Sequence, residues 1–204
     1  MTSATPSEEL ERLWAGEFGN AYLGRNLEAG HGRGPFWHSF LDRYRIDSVL
    51  EVGCTQGDNL RYFTGHVPPQ NICGLDVNPV VLQQFETNIP GARAVQGVAR
   101  QLPFPDASFD LVFTVGLLIH IPDETLPSVL HELTRTSKHY VFCGEYHADQ
   151  PVDLKYRDRD GVLFKRDYGR MFIEHSPELR VVDHGFLTKE SGFDRVTWHL
   201  FERA

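Results

Sequence analysis

The feature that most constrains the fold is an alternation, from Asp47 onward, of short apolar runs with amphipathic segments. The apolar runs are SVLEVG, NICGLDV, ARAVQG, FDLVFTVG and HYVFCGE, and the segments between them are DNLRYFTG, PVVLQQFETN and LPSVLHELTR. Runs rich in Val, Ile and Leu have no face suited to water, so they predict parallel strands covered by helices on both sides. At the end, ELRVVDHGFLT and FDRVTWHLFER are separated only by KESG, which is too short for a crossover helix. The pattern predicts one α/β domain with a doubly wound, seven-stranded, mostly parallel sheet whose last strand is antiparallel.

Composition and charge exclude several classes of function. The 204 residues suit one domain, and 28 acidic against 20 basic residues give a net charge of -8. Because a phosphate backbone binds clustered Lys and Arg, nucleic acid is not expected as a partner. No apolar run reaches the roughly 18 residues of a membrane span and the start lacks a signal-peptide pattern, so we expect a cytoplasmic protein without a membrane partner. The three cysteines lack CxxC spacing, so no metal is expected.

A glycine-bearing turn, EVGCTQGD at residues 51–58, follows the first predicted strand. Such a turn lets a ligand approach bare backbone, and Asp76 ends the next strand, where nucleotide-binding α/β folds place a carboxylate for ribose hydroxyls. Counted from Gly53, Thr55 and Asp58 stand where a dinucleotide motif has its second and third glycines, so a pyrophosphate would meet a side chain and an anion. The acidic turn instead suits a phosphate-free nucleoside with a cationic tail, namely S-adenosyl-L-methionine.

With these motifs the chain resembles the class I S-adenosylmethionine-dependent methyltransferases from about residue 47 to residue 201. The likeness is carried by LEVGCTQG, LDVNP and LPFPDASFDLVFTVGLLIHI, and it implies a Rossmann-like domain that uses this cofactor for methyl transfer. The cofactor contacts that it implies are Glu51, Gly53, Cys54, Gly57, Asp76, Val77, Val98 and Ala99. The family often has an Asp before the Ala at the adenine edge, where this chain has Val98, so the likeness implies backbone contacts to adenine here.

Three further segments resemble the small methylases associated with pseudaminic acid biosynthesis. They are EFGNAYLGRN, EYHADQPVDLKYRDRDGVLFKRDYG and DRVTWHLFE. This narrower likeness implies a small soluble acceptor, of the amino-acid or sugar-acid type, that bears a carboxylate.

Residues 1–34 are predicted to form a helical lid over a methyltransferase domain at 35–204. The candidate lid residues are Trp14, Phe18, Tyr22, Arg25 and Asn26. Aromatic rings there would exclude water, and Arg25 would pair with a carboxylate of the cofactor or the acceptor. We assign Tyr22 and Arg25 to the cofactor and Asn26 to the acceptor. The alternative is an amphipathic helix whose aromatic side chains fill the core and whose Arg25 is solvated.

The segment at about 147–170 carries six basic and five acidic side chains and is longer than a strand-to-helix connection needs. We interpret it as a cover over the substrate. The candidate contacts to an anionic acceptor are Tyr146, Tyr156, Arg157 and Lys165. A solvated surface of compensating ion pairs is the alternative.

Three side chains at the strand ends are candidates for catalysis. Methyl transfer from a sulfonium is an in-line displacement, so alignment supplies much of the rate, and a base helps only where the acceptor must lose a proton. The candidate bases are His120, Glu145 and His147. A packing role for His120 and a plain loop position for His147 stay open.

Two rival functions stay open beside methyl transfer. One is a reaction in which the cofactor's own amino-acid chain is displaced, as in a cyclase, and the other is a non-catalytic module that binds the cofactor and regulates a partner. A nicotinamide oxidoreductase is disfavoured by the acidic turn. Neither the acceptor atom nor the oligomeric state follows from the sequence.

Overall fold

The computed structural model describes residues 4–25 and 30–204. Its strands are β1 (Val49–Val52), β2 (Ile72–Asp76), β3 (Arg93–Gln96), β4 (Phe109–Val115), β5 (Ser137–Glu145), β6 (Val152–Tyr156), β7 (Arg159–Lys165), β8 (Leu179–Leu187) and β9 (Val196–Arg203). Its α-helices are α1 (Pro6–Ala15), α2 (Glu17–Arg25), α3 (Gly34–Arg43), α4 (Pro79–Asn88), α5 (Leu126–Thr136) and α6 (Tyr168–His175). In the described part of the chain, no helix is long and apolar enough to pass through a membrane.

Seven of the strands form one sheet in the order β3-β2-β1-β4-β5-β9-β8. Strand β9 is antiparallel to both of its neighbours, and the pairs from β3 to β5 are parallel. Strands β6 and β7 pair only with each other in a separate hairpin. The predicted α/β fold, with seven mostly parallel strands and an antiparallel last strand, is confirmed.

Both faces of the sheet are covered, as the unbroken apolar runs predicted. Every residue of β1 and β2 is buried. Side chains alternate between the faces along a strand, so Leu50 packs with Leu130 of α5 in one cluster, whereas Val49 packs with Trp37 and Phe40 of α3 in the other. The ends of the parallel strands are therefore held rigidly between two hydrophobic layers.

The first crossover differs from its prediction. The segment DNLRYFTG was expected to be a helix, but it forms only a 3₁₀ turn at Leu60–Phe63. Gly57 and Gly65 flank this turn with φ values of 87° and 88°, and the chain continues into Pro68 and Pro69. Since left-handed glycines and prolines both interrupt an α-helix, no room remains for a second turn.

The first helix begins at Pro6 and is capped by Thr5. Glu8 N donates to Thr5 Oγ1 at 3.3 Å and Thr5 N donates to Glu8 Oε2 at 3.0 Å. The Ser7 hydroxyl forms a hydrogen bond with Thr125, at the start of α5. This contact ties α1 to the end of the sheet at which β4 terminates.

The hairpin of β6 and β7 lies within the predicted cover at 147–170, where no strands were predicted. Tyr156 pairs with Arg159 across a two-residue turn, and Arg157 and Asp158 in that turn have φ values of 52° and 61°. Two consecutive left-handed residues are the geometry of a tight hairpin turn that matches strand twist. In a sequence this turn is usually indicated by glycine or asparagine. Here Arg157 and Asp158 form it, so the sequence did not predict the turn.

Apolar and ionic contacts hold the hairpin against the rest of the molecule. Val162 and Phe164 of β7 pack against Leu10 of α1 in a small separate cluster. The buried Arg166 guanidinium donates to Asp123 Oδ1 at 2.8 Å and to Asp153 Oδ1 at 2.8 Å. Helix α1 and the hairpin therefore form one continuous cover, while the division of the chain at residue 34 stays a prediction.

Candidate functional site

A cavity opens at the carboxyl ends of β1, β2 and β4, beneath α1 and α2. Its free volume, open mouth included, is about 890 Å³. The sequence-predicted residues that line it are Tyr22, Gly53, Asp76, Val77, Val98, Ala99 and His120. This end of an open α/β sheet is where such folds bind ligands.

Asp76 is the acidic group at the centre of the cavity. Its Oδ2 accepts a hydrogen bond from Thr55 N at 3.0 Å, and its Oδ1 accepts one from Asn78 N at 2.9 Å. Burial raises the pKa of the carboxyl, and these backbone donors counteract that effect. Each oxygen keeps a second lone pair. The carboxylate is therefore fixed in position and still able to accept two hydroxyl groups.

Glu51 lies behind the turn, outside the cavity lining. Asn59 Nδ2 donates to Glu51 Oε1 at 2.6 Å, whereas Glu51 Oε2 is buried and has no hydrogen-bond partner among the described residues. Burial raises the pKa of Glu51 to about 8. Cys54 is buried beneath the same turn, and Gly57 packs so closely that an added Cβ would lie 2.6 Å from Ile89 Cδ1. These three predicted contacts support the turn from below.

The electrostatics of the cavity suit a cationic nucleoside. Among the described lining residues the only ammonium or guanidinium is that of Arg100, and Glu11 holds it through bonds of 2.7 and 3.1 Å. Glu51, Asp58 and Asp76 surround the turn, and burial raises the pKa of each. Arg61 pairs with Asp58 at 2.8 Å, so the carboxylate that decides the charge of the cavity is Asp76, which forms no ion pair with a described residue. It would repel a pyrophosphate and attract a sulfonium with an ammonium tail.

The residues present fit S-adenosylmethionine. Asp76 would hold the ribose hydroxyls, and the apolar wall of Val77, Val98 and Ala99 would hold adenine. Gly53, with a φ of 78°, brings bare backbone to the cavity, where an added Cβ would lie 3.0 Å from Leu117 Cδ1. The amino-acid tail would lie along this turn.

Aromatic rings of the lid and hairpin enclose the mouth of the cavity around Trp14. Its ring centroid lies 4.5 Å from that of His120, 5.1 Å from Phe18, 5.6 Å from Tyr22 and 6.5 Å from Tyr156. Within the described residues, the Trp14 indole N–H is buried without a hydrogen-bond partner. The aromatic side chains predicted for the lid and the hairpin tyrosine thus meet in one cluster, of which Trp14 and Tyr22 line the cavity.

Other predicted residues lie away from this cavity. Arg25 is exposed, with its guanidinium carbon 5.8 Å from the Phe18 ring centroid. Asn26 lies outside the described residues. Arg157 is exposed at the tip of the hairpin, 6.0 Å from the Tyr156 ring centroid.

Glu145 is turned into the fold at the end of β5. Its Oε1 accepts hydrogen bonds from Thr114 Oγ1 at 2.8 Å and Leu117 N at 3.2 Å, and its Oε2 accepts one from Ile119 N at 3.4 Å. Burial raises the pKa of this carboxyl to about 7. In this arrangement Glu145 holds the segment after β4 that forms one wall of the cavity.

A second cavity lies beside Tyr146, the residue after Glu145. Its free volume, open mouth included, is about 930 Å³. It is lined by Tyr146, His147, Lys165, Phe186, Lys189, Asp194, Arg195 and Thr197. Tyr146 donates to Asp194, and the Lys165 ammonium lies 5.6 Å from the Tyr146 ring centroid. Three of the predicted residues are therefore brought together here, in a cavity that carries a surplus of cations.

The sequence interpretation missed several residues of both cavities. Gly116 and Leu117 line the first cavity directly after β4, and a glycine that ends a predicted strand was the available signal. Glu11 and Arg100 meet only through the packing of α1, so no local pattern marks them. Lys189 and Arg195 could be recognised as cavity residues only after the sheet order had placed the β8–β9 turn beside the end of β5.

Comparisons with known proteins agree with this geometry. Residues 49–139 match a family model described as a methyltransferase domain. An uncharacterised methyltransferase of Synechocystis sp. is 28% identical over 153 residues, which are 75% of this chain and 69% of that protein. A phthiotriol/phenolphthiotriol dimycocerosates methyltransferase of Mycobacterium ulcerans is 44% identical over 69 residues, which are 33% of this chain and 26% of that protein. The match therefore spans about a quarter of the mycobacterial relative.

A solved structure shows the same fold. It is the 1,6-didemethyltoxoflavin-N1-methyltransferase of Burkholderia thailandensis, with bound 1,6-didemethyltoxoflavin and S-adenosylhomocysteine. The two superpose with a TM-score of 0.75 at 15% identity, over 100% of this chain and 92% of the other.

Proposed function

Because this chain carries a class I S-adenosylmethionine-dependent methyltransferase domain, we propose that it methylates a small metabolite that bears a carboxylate, of the amino-acid or sugar-acid type. The observation that carries the proposal is the pairing of an acidic cavity with a basic one at the same edge of the sheet. The first suits the cationic cofactor, and the second suits an anionic acceptor.

The two cavities are linked through consecutive residues. Glu145 binds the backbone of Leu117 in the wall of the first cavity, and Tyr146 lines the second. Burial, the Asp194 carboxylate and the nearby Tyr22 phenol all raise the pKa of Tyr146. Since Tyr22 lines the first cavity, an acceptor held beside Tyr146 would lie within reach of the cofactor's methyl group.

The charges of the second cavity favour a carboxylate. Among the described lining residues, Lys165, Lys189 and Arg195 face it together with a single carboxylate, that of Asp194, which lies 3.6 Å from the Lys189 ammonium. This local surplus of positive charge stands in a chain whose net charge is -8. An anionic acceptor would therefore be drawn to this part of the surface and oriented there.

The chain's own residues would bind, orient and exclude water. The bound cofactor supplies an activated methyl group, so the barrier falls chiefly through alignment. Asp76 would fix the nucleoside, and the basic cavity would fix the acceptor's carboxylate. Trp14 and Tyr156 would close the space between them. The cyclase and regulatory alternatives gain no support, because the relatives and the solved structure described above are all named as methyltransferases.

A labelling experiment tests the proposal. The purified protein is incubated with methyl-labelled S-adenosylmethionine and a cell metabolite extract, and the products are identified by mass spectrometry. We expect S-adenosylhomocysteine and a labelled product that contains a carboxylate. Methylthioadenosine in place of S-adenosylhomocysteine would indicate the displacement reaction, and binding without turnover would indicate a regulatory module.

Variants of the basic cavity locate the acceptor. Lys165→Met is expected to raise KM for the labelled acceptor about tenfold or more, as the loss of one charge-assisted contact implies, while the Kd for S-adenosylhomocysteine stays unchanged. Lys155→Met is the matched control, since Lys155 is exposed on the hairpin and pairs only loosely with Asp160 at 3.8 Å. Equal KM values in the two variants would contradict an acceptor site in the second cavity.

A further inference from the structure

His120 has one ring nitrogen already committed to the backbone. It ends the 3₁₀ turn Leu118–His120 after β4, and its Nδ1 lies 2.6 Å from the carbonyl oxygen of Val162 in β7. A carbonyl can only accept a hydrogen bond, so Nδ1 must carry the proton. In the neutral ring the lone pair is then on Nε2, and the ring lines the first cavity.

The surroundings of the ring keep it neutral. Trp14 of α1 covers it at 4.5 Å and Tyr156 of β6 at 5.6 Å, both measured between ring centroids. Of the charged groups on these elements, Glu11 is bound to Arg100, and no described carboxylate forms an ion pair with the ring. Burial lowers the pKa of His120 to about 4, and the Val162 carbonyl opposes this only in part.

Resting on the methyl transfer proposed above, we propose that His120 positions the nucleophile: Nε2 accepts a hydrogen bond from an N–H or O–H of the methyl acceptor, and the Val162 carbonyl of the hairpin fixes the tautomer that makes this bond available. The acceptor atom is then a nitrogen or a hydroxyl oxygen that carries a hydrogen. A carbon or thioether acceptor would leave Nε2 without a donor.

The transfer step balances without a charged histidine. The acceptor's lone pair forms a bond to the methyl carbon, the carbon–sulfur bond breaks, and its electron pair stays on the sulfur. The new bond makes the acceptor's proton acidic; it stays hydrogen-bonded to Nε2 during the transfer and passes to water when the product leaves the cavity. A neutral ring beside the sulfonium avoids repulsion between two cations, whereas an imidazolium would weaken cofactor binding.

The hydrogen bond between His120 Nδ1 and the Val162 carbonyl also connects the β6–β7 hairpin to the proposed position of the methyl acceptor. Val162 belongs to the hairpin, which Leu10 of α1 holds in place. When the hairpin is docked, His120 has its Nδ1–H satisfied and its Nε2 free to accept. Without the Val162 carbonyl either tautomer could form, so this contact with the hairpin is what orients the nucleophile.

Nitrogen-15 NMR of the ring tests the tautomer directly. In the complex with S-adenosylhomocysteine, we expect the His120 signals of a protonated Nδ1 and an unprotonated Nε2, unchanged from pH 8 to pH 6. A protonated Nε2, or a ring that titrates near 6.5, would overturn the inference even if the protein transfers methyl groups.

Two substitutions test the role in transfer. The amide of His120→Asn can replace the Nδ1 donor but not the Nε2 acceptor, so kcat should fall about 10- to 100-fold, the size of one lost hydrogen bond. His120→Gln can reach the Nε2 position and should recover part of this loss. Thermal denaturation should show that both variants are folded. His131→Asn is the matched control, because His131 is exposed on α5.

The outcomes separate this inference from the proposed function. A wild-type enzyme that turns over while His120→Asn is equally fast contradicts the role of His120 alone. A protein with the expected tautomer that transfers no methyl group to any metabolite contradicts the proposed function, and the positioning role fails with it.

Discussion

The Asp76 carboxylate provides the most direct test of the cofactor cavity. Each oxygen holds one backbone N–H, at 2.9 and 3.0 Å, and has one lone pair left for a ribose hydroxyl. A hydrogen bond to a charged group contributes about 1.5 to 3 kcal/mol. In Asp76→Ala the two proposed hydrogen bonds to the ribose hydroxyls are lost. Part of this loss is offset, because the freed Thr55 and Asn78 amides can bind water or the ligand. We expect a net loss of about 2 to 3 kcal/mol, which is roughly 30- to 150-fold in Kd.

Isothermal titration calorimetry with S-adenosylhomocysteine measures this loss, and thermal denaturation shows whether the turn is still folded. Asp76→Asn keeps one acceptor and should give an intermediate Kd. Asp58→Asn is the matched control, because the Asp58 carboxylate binds Arg61 at 2.8 Å and lies outside the cavity lining. A Kd for Asp76→Ala within threefold of the wild-type value, or an equal loss in Asp58→Asn, would refute the reasoning.

Three further predictions concern stability. Gly57→Ala should lower the free energy of unfolding, measured in urea, by about 2 to 4 kcal/mol, and Gly65→Ala should lower it by about 1 kcal/mol. Both glycines have a left-handed φ, but only at Gly57 would the added Cβ clash with Ile89. Equal losses in the two variants would contradict this reasoning. Burial raises the pKa of Glu51 from 4.5 to about 8. Between these two pH values the Glu51 carboxyl is protonated in the folded chain and ionised in the unfolded chain. Wild-type stability relative to Glu51→Gln should therefore fall as pH rises through that window, and a difference independent of pH in thermal denaturation would disprove it. Arg166→Met removes two ion pairs of a buried guanidinium, so hydrogen exchange should accelerate in β6 and β7 but not in β1; uniform acceleration would argue against a local role.

The sheet was predictable because its strands carry their own signal. Strands buried on both faces must be apolar at every position, and β1 and β2 show this pattern directly in the sequence. The first crossover was not predictable from its apolar spacing, since the flanking glycines at 57 and 65 limit it to one turn. The hairpin was hidden because its left-handed turn is made by Arg157 and Asp158 rather than by glycine.

The candidate site was predictable where function coincides with a strand end. Asp76 and Gly53 terminate or follow adjacent parallel strands, so their proximity follows from topology alone. The orientation of Glu145 does not, because a side chain at the end of a strand can point to either face or toward its neighbour, and here it points to Thr114 of β4. Lys189 comes from the β8–β9 turn, and only the order β5-β9-β8 brings it near Tyr146.

The hairpin contributes no hydrogen bonds to the seven-stranded sheet, and its two ends are joined at the bridge between His147 and Arg166. An insertion, deletion or exchange between these two points would thus leave the strand register of the seven-stranded sheet unaltered. Evolution can therefore change the proposed acceptor-binding site here without changing the residues that would bind the nucleoside. Grafting a foreign hairpin between residues 147 and 166 is accordingly the natural route by which an engineer would redirect this scaffold to new acceptors.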